Sequence, residues 1–455
     1  MHWRLAPCGL GLAAATLLAG CAGAPTSAPA PAAPPAASAG PSEPTASVAA
    51  LYRRLNAVRA RVGLIPMRRN VPLERAAHNH ARYLAAHPLE NACNASHGEQ
   101  RGGSEFTGRW PWQRAYATGY ESRDVRENAW CQSARGSDVR GSEAHADRVI
   151  RQVMSGIYHR FSFLSFDHDA VGIGEAVEAG AGRREEAFVF KTGNSHKNAL
   201  CAGPDSMTVG ASEYYSNVCR SEKAVEVGLE ASAARQVGVL NPALAVWPPD
   251  GAAGVSPVFA NEIPDPLPDY RLSGYPVTVQ FNPYRARRVE VLDFTLYREG
   301  SEEPLSARVL DASNDPHAKL TRFDFALFPL VRLSWDTLYR AEVKYRVDGA
   351  WQQKTWRFRT ERPGVPMYKV GADRPRLRMR PGVTYAVYVP PSPALPTVED
   401  VEWRFSQGMR IDVDHYDVNT LLLGVDGQYG DRAVFVLGGR EAFELEVATQ
   451  DDAQR

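Results

Sequence analysis

VAALYRRLNAVRARV, residues Val48 to Val62, sets the architecture: Val48, Leu51, Leu55, Val58 and Val62 recur at intervals of 3, 4, 3 and 4, the period of one helix face. A second helix follows. Pro72 suits a first helical turn, and Leu73, Ala76, Ala77, His80, Ala81 and Leu84 form a small-residue face that permits close packing. His80 reads there as a packed core histidine. A third helix is expected over Ala144 to Met154, with Val149, Ile150 and Val153 inward. Ala170 to Val177 and Glu186 to Lys191 are β-like, with a Gly/Arg-rich turn at Ala179 to Arg184 between them. Helices followed by a hairpin indicate an α+β layer structure and not alternating βαβ units.

Upstream, Arg4 precedes an apolar stretch from Leu10 to Leu18 that ends at Leu18-Ala19-Gly20 before Cys21. This reads as a secretory signal, too short to cross a ~30 Å hydrocarbon core as a mature helix. Leu-Ala-Gly-Cys resembles the lipobox of bacterial lipoproteins, which implies a diacylglyceryl group on Cys21 and cleavage before it. The alternative is an ordinary signal with a chance cysteine. Ala22 to Thr45 carries seven prolines among Ala, Ser and Gly and reads as a tether. Export and lipid anchoring to the cell envelope are therefore expected. Ala22 after the cysteine, in place of Asp, points to an outer membrane.

The 455 residues carry 52 basic and 52 acidic side chains, with 44% hydrophobic content. This balance removes the long-range positive field that nucleic acid would require, so no nucleic-acid partner is expected. The length suits about two to four domains.

From about Val237 the texture becomes Pro- and Gly-punctuated alternation. Val277–Phe281, Val289–Tyr297, Leu305–Leu310, Phe323–Phe328, Leu338–Tyr345 and Trp351–Phe358 are spaced like the strands of a β-sandwich. Leu333-Ser-Trp-Asp-Thr-Leu-Tyr339 looks like a tyrosine corner, with Tyr339 bonding back to upstream backbone. The pattern repeats between Tyr368 and Val447, with Leu377–Met379, Val383–Val389 and Val401–Phe405 among its runs. Asp412, Asp414, His415 and Asp417 read there as a solvated strand edge and turn in preference to a metal cluster.

One ordered set of residues is more specific than any of these patterns. Leu55-Asn56-Ala57-Val58-Arg59, Ala76 to Ala85, Ser96-His97, Phe106-Thr107-Gly108, Arg114, Gly119-Tyr120, Glu127-Asn128, Tyr158-His159-Arg160 and Val171-Gly172-Ile173-Gly174 resemble, in order, the bacterial branch of the CAP superfamily of cysteine-rich secretory and pathogenesis-related proteins. The resemblance implies an α-β-α sandwich with a groove in which two histidines and one or two glutamates converge. The matching positions are His97, Glu127 and His159. Two imidazoles and a carboxylate would leave zinc a vacant position for water. Without metal they could do acid/base chemistry, or form a buried polar cluster that ties loops to the sandwich. For a second family glutamate the candidate is Glu143, with His145 beside it. Ser96 reads as a local hydrogen-bonding residue, not a nucleophile, and His78, His87, His168 and His196 as surface positions.

With Cys8 discarded and Cys21 lipidated, Cys93, Cys131, Cys201 and Cys219 remain, allowing three pairings. Pairing Cys93 with Cys131 would clamp the loops that carry His97 and Glu127, and Cys201 with Cys219 would close a short loop. A Cys93–Cys131 bridge would be worth about 4 kcal/mol in the chain-entropy model.

The expected order is a lipoprotein signal peptide over residues 1–20, a Pro/Ala-rich tether over 21–47, a CAP-like domain over 48–235, an Ig-like β-sandwich over 237–362 and a second small β domain over 365–450. The fold class is α+β, an α-β-α sandwich CAP domain followed by one or two all-β, Ig-like sandwich domains. Two functions follow. One is a non-enzymatic binder of a lipid, glycan or peptide. The other is a metal-assisted hydrolase with His97 and His159 as zinc ligands and Glu127 as ligand or base. Binding is preferred because no nucleophile or oxyanion motif is present.

Overall fold

The chain begins with α1 (Ala46–Arg61), whose first turn is closed by the Thr45 hydroxyl accepting from the Val48 amide. The structure is a computed structural model describing residues 43–87, 97–134, 142–180, 183–204, 213–260, 262–371 and 373–448. The signal peptide, most of the tether, Cys93 and Ser96 lie outside the described residues. The second helix, α2 (Val71–Ala86), starts at Asn70, whose side-chain oxygen accepts from the Leu73 amide. Pro72 sits in its first turn, where a missing N–H costs nothing. After α3 (Pro111–Ala117) come α4 (Glu143–Ser155), one residue longer at each end than the spacing indicated, and α5 (Ile157–Phe163).

Four strands, β1 (Arg68–Arg69), β2 (Val125–Ala134), β3 (Ala170–Gly180) and β4 (Arg183–Gly193), form one sheet in the order β1-β3-β4-β2. Neighbouring side chains on a strand face opposite sides, and β4 shows what each side holds. Phe188 and Phe190 pack with Leu51 and Leu55 of α1 and with Val149 and Ile150 of α4. Ala187 and Val189 pack with Ala77, Ala81 and Leu84 of α2. The sheet is thus covered on both faces, an α-β-α sandwich. The expected strands from Ala170 and Glu186 are β3 and β4, paired antiparallel. Strand β2 is absent from the sequence-based expectation, because its side chains include Glu127, Asn128 and Gln132 where a half-buried strand usually alternates apolar with polar.

Two short strands, β5 (Tyr214–Tyr215) and β6 (Val225–Glu226), and the helices α6 (Ser195–Ala202) and α7 (Val227–Gly238) complete this part. Cys201 of α6 is disulfide-bonded to Cys219. Cys131 is also disulfide-bonded, and its expected partner Cys93 lies outside the described residues.

Eight strands build the next layer pair: β7 (Leu244–Trp247), β8 (Ala252–Val255), β9 (Val277–Phe281), β10 (Val289–Arg298), β11 (Ala307–Leu310), β12 (Asp324–Pro329), β13 (Leu338–Val347) and β14 (Ala350–Thr360). The sheets β10-β13-β14-β8 and β11-β12-β9-β7 enclose Val279, Phe281, Leu327, Val343, Trp356 and Phe358. The Tyr339 hydroxyl accepts from the Ser334 amide at 2.8 Å, the backbone tie expected of a tyrosine corner.

A second pair follows, from β15 (Met367–Lys369), β16 (Arg376–Met379), β17 (Thr384–Tyr388), β18 (Val401–Phe405), β19 (Arg410–Asp417), β20 (Thr420–Asp426), β21 (Arg432–Leu437) and β22 (Arg440–Val447). Its sheets are β15-β17-β20-β19 and β16-β22-β21-β18. Strand β19, which carries Asp412, Asp414 and His415, is an edge strand, and Asp417 pairs with Arg332 of the preceding sandwich at 2.8 Å.

Helix α5 couples the helical part to the first sandwich. Ile157 and Phe161 join Phe259, Leu267, Leu310 and Phe328 in one apolar cluster. Arg160, fully buried, donates to the carbonyls of Met154 and Pro276 and lies 4.9 Å from the Tyr275 ring centroid. An arginine buried in this way satisfies its donors with backbone carbonyls, so the two parts share a polar seam as well as an apolar one.

Candidate functional site

Glu127 of β2 lies directly opposite Lys191 of β4 in the sheet register, both pointing to the α2 side. Their carboxylate and ammonium form an ion pair. From α3, Arg114 reaches the same carboxylate, its Nη2 donating at 2.8 Å to Oε1 and 3.0 Å to Oε2. The same guanidinium also donates to the carbonyls of His97 and Gly108, at 2.9 and 2.8 Å. It therefore locks the His97 loop and the α3 entrance onto one carboxylate.

A second carboxylate backs this group. Glu99 accepts from the amides of Thr107 and Gly108 at 2.6 and 3.0 Å and sits 2.9 Å from Nδ1 of His80 on α2. His80 Nε2 is 3.5 Å from Glu127 Oε1. The side chains of His80, Glu99, Arg114, Glu127 and Lys191 are each 1% exposed or less, whereas that of His97 is 34% exposed. His97, held at φ 61°, places Nδ1 3.1 Å from Glu127 Oε1. It is the lip of an otherwise buried cluster.

Charge accounts for the rest. Burial alone would raise the Glu127 carboxyl, but Arg114 and Lys191 outweigh it and hold it well below the usual carboxylate range. Burial draws the Lys191 ammonium down to about 8 against the pull of Glu127. Burial likewise lowers the His80 imidazole against the pull of Glu127 and Glu99. Two carboxylates face two cations beside a neutral imidazole, and the cluster neutralises itself.

The structure brings His97 and Glu127 together but sets His159 apart. The Asn128 side-chain amide donates to the His159 carbonyl at 3.0 Å, and Asn128, adjacent to Glu127 on β2, faces the other side of the sheet. His159 instead turns to Glu262, its Nδ1 2.5 Å and its amide 3.1 Å from Oε1. The expected three-residue groove is corrected accordingly: strand alternation places its third member across the sheet.

A zinc ion does not fit these donors. Both Glu127 oxygens are engaged by buried cations, which would repel a metal. Among the described residues no group of three His, Cys, Asp or Glu side chains is arranged to hold one. Glu143 pairs with Arg53 at the surface, and His145 is buried 3.8 Å from Glu186, both outside the cluster. His168, expected at the surface, is fully buried, with Nδ1 2.8 Å from the Thr192 hydroxyl.

Sequence reading missed Glu99, Lys191 and the role of Arg114, and assigned His80 to the core without its carboxylate partner. The available signal was a lysine in the run Phe188-Val-Phe-Lys191, a charge closing an apolar strand, which calls for a buried counter-ion.

These shifts fix the sign of one pH response. The folded His80 imidazole stays neutral below its ordinary value of 6.5, where the unfolded chain takes up a proton, so stability falls as pH drops through that value. The depressed Glu127 carboxyl adds a loss of the same sign below 4.5. Thermal melts between neutral and acid pH should show a falling midpoint, and His80→Gln should flatten the upper part of the slope. An unchanged slope in that variant would remove His80 from the account.

A separate groove of 390 Å³ runs between the start of α1, α2 and β3, lined by Val48, Arg75, His78, Ile173 and Val177 among others. Its size suits a small ligand.

Residues 52–191 match the family model for CAP, the cysteine-rich secretory protein family. The α-β-α part is a CAP domain, and the strands that follow form two pairs of four-stranded sheets. Among solved structures, an outer surface protein from Borrelia burgdorferi is 15% identical, with 32% of this chain and 92% of that one covered and a TM-score of 0.23. A chimeric titin Z1Z2-Z1Z2 tandem is 12% identical over 38% of this chain and 89% of that one, TM-score 0.13. Another titin segment is 13% identical over 46% and 100%, TM-score 0.15. No curated protein matches the chain.

Proposed function

We propose that this CAP-domain protein is exported, anchored to the envelope through an acylated Cys21, and binds a lipid, glycan or peptide ligand without catalysing a reaction. One observation carries the choice of binding over hydrolysis: Glu127 is saturated. A general base needs a proton affinity near the working pH and a lone pair facing substrate. The Glu127 carboxylate has neither, since Arg114, Lys191 and His97 occupy its oxygens and hold its proton affinity down. The 390 Å³ groove supplies room for a ligand, and the β-sandwiches are spacers or contact surfaces.

The test pairs calorimetric zinc titration of metal-free protein with turnover of an ester and peptide panel. The expected result is no micromolar zinc site and no turnover. Zinc binding lost in both His97→Ala and Glu127→Gln, or zinc-dependent turnover, would overturn the reading in favour of a hydrolase. Mass spectrometry of the membrane-extracted protein should find acylated Cys21 at the mature N-terminus. A free Cys21 thiol would overturn the anchor.

A further inference from the structure

The CAP domain carries an aromatic strip that the buried cluster does not use. Trp110, at the entrance to α3, is 40% exposed, and the guanidinium of exposed Arg109 lies 4.9 Å from its ring centroid. Two residues on, half-buried Trp112 meets Tyr116 edge-on at 5.4 Å. Arg123, from the loop before β2, places its guanidinium 4.4 Å from the Trp112 centroid and donates to the Asn217 carbonyl at 3.2 Å. Two tryptophans at the start of α3 thus each hold an arginine against the ring.

Nearby acidic groups are already committed. Glu105 pairs with Arg82 at 2.7 Å, Glu121 with Arg220 at 3.0 Å and Asp124 with Lys197 at 2.8 Å. Neither Arg109 nor Arg123 is the partner in those pairs, so the strip keeps a positive charge.

We infer that the Trp110–Trp112 strip is a docking surface for an anionic phospholipid bilayer. Indole rings are amphipathic and settle at the headgroup level. Guanidinium groups, weakly hydrated and planar, bind phosphate there. Charge complementarity supplies the attraction. A glycan is the competing partner, since sugars stack on aromatic faces. Here a guanidinium already lies against one face of each indole, which places a positive charge where an anionic headgroup is favoured over a neutral sugar. The choice of a bilayer rests on the anchored-lipoprotein reading, because the tether would place the CAP domain as the first folded module beyond the acyl chains.

The test uses the full chain with Cys21→Ser, which cannot be acylated, so failure here is separate from failure of the anchor. Binding is followed by tryptophan fluorescence and co-sedimentation with vesicles of equal parts phosphatidylglycerol and phosphatidylethanolamine, against phosphatidylcholine alone. The expected result is binding to the anionic vesicles that weakens with salt. Arg109→Gln and Arg123→Gln should each reduce affinity about fivefold, and Trp110→Ala, at an exposed site that leaves the fold intact, should reduce it further. Equal binding to both vesicle types, or an unchanged affinity in the double arginine variant, would overturn the proposal. So would binding to soluble acidic polysaccharide with none to vesicles.

Discussion

Gly174→Ala is expected to cost the CAP domain about 3 kcal/mol or more, at the upper end of what overpacking does to a core. A Cβ built on Gly174 would lie 2.2 Å from the His78 amide nitrogen and 2.3 Å from the Ala77 carbonyl carbon. Gly172 is placed the same way, with a Cβ falling 2.1 Å from both the Glu74 nitrogen and the Leu73 carbonyl carbon. These obstacles are helix backbone, not side-chain tips, so no rotamer change relieves them. The whole of α2 would have to lift off β3. Lifting it would also withdraw His80 from Glu99 and Glu127, so a packing change would reach the buried cluster. Gly364→Ala is the control, because nothing lies within 4 Å of its added Cβ. Calorimetry should show unfolding moved to lower temperature in Gly174→Ala and unmoved in the control. Equal midpoints would mean that α2 and β3 do not approach so closely.

Much of this could be read from the chain beforehand, for identifiable reasons. Helix α1 declared itself through five apolar positions on one face, and all but Val58 and Val62 of those are fully or nearly buried. The sandwich strands were legible because β-branched and aromatic runs are bounded there by Pro, Gly and Asp turns. Val277–Phe281 and Val401–Phe405 matched residue for residue.

The cluster was harder, since its members come from α2, the loop after it, α3, β2 and β4, and no periodicity links them. Resemblance supplied Glu127 and His97 but also suggested His159, because an ordered motif says nothing about which face of the sheet each residue occupies. That depended on the parity of β2, a strand hidden by its own polar side chains. Lys191 was overlooked for the converse reason: it follows an apolar run within β4, and which counter-ion it would meet shows only with Glu127 across the register.

Glu127→Ala should destabilise the protein by about 3–5 kcal/mol, the cost of leaving buried charge without a partner. Arg114 would keep Glu99 at 3.6 Å and its carbonyl acceptors, but Lys191 would keep only the Pro111 carbonyl at 3.4 Å. Lys191 also sets a ceiling on the loss. Its proton affinity is already down at about 8 with Glu127 present, and removing the carboxylate lowers it further, so the amine can shed its proton in place of unfolding the chain. The sign of the pH response follows. A lysine whose folded value lies below its ordinary 10.5 leaves the unfolded state holding more protons, so stability rises with pH once the folded value is passed. In Glu127→Ala that rise should begin at lower pH than in the parent, where it starts near 8. Glu127→Gln combined with Lys191→Met, which removes both charges and leaves Arg114 with Glu99, should recover at least half of the loss measured by chemical denaturation. No recovery in the double variant would show that Glu127 acts on His97 and Arg114 alone. A stable Glu127→Ala, together with a parent turnover that this variant loses, would mean that the carboxylate serves chemistry after all and that its two cations tune a reaction in place of holding a fold.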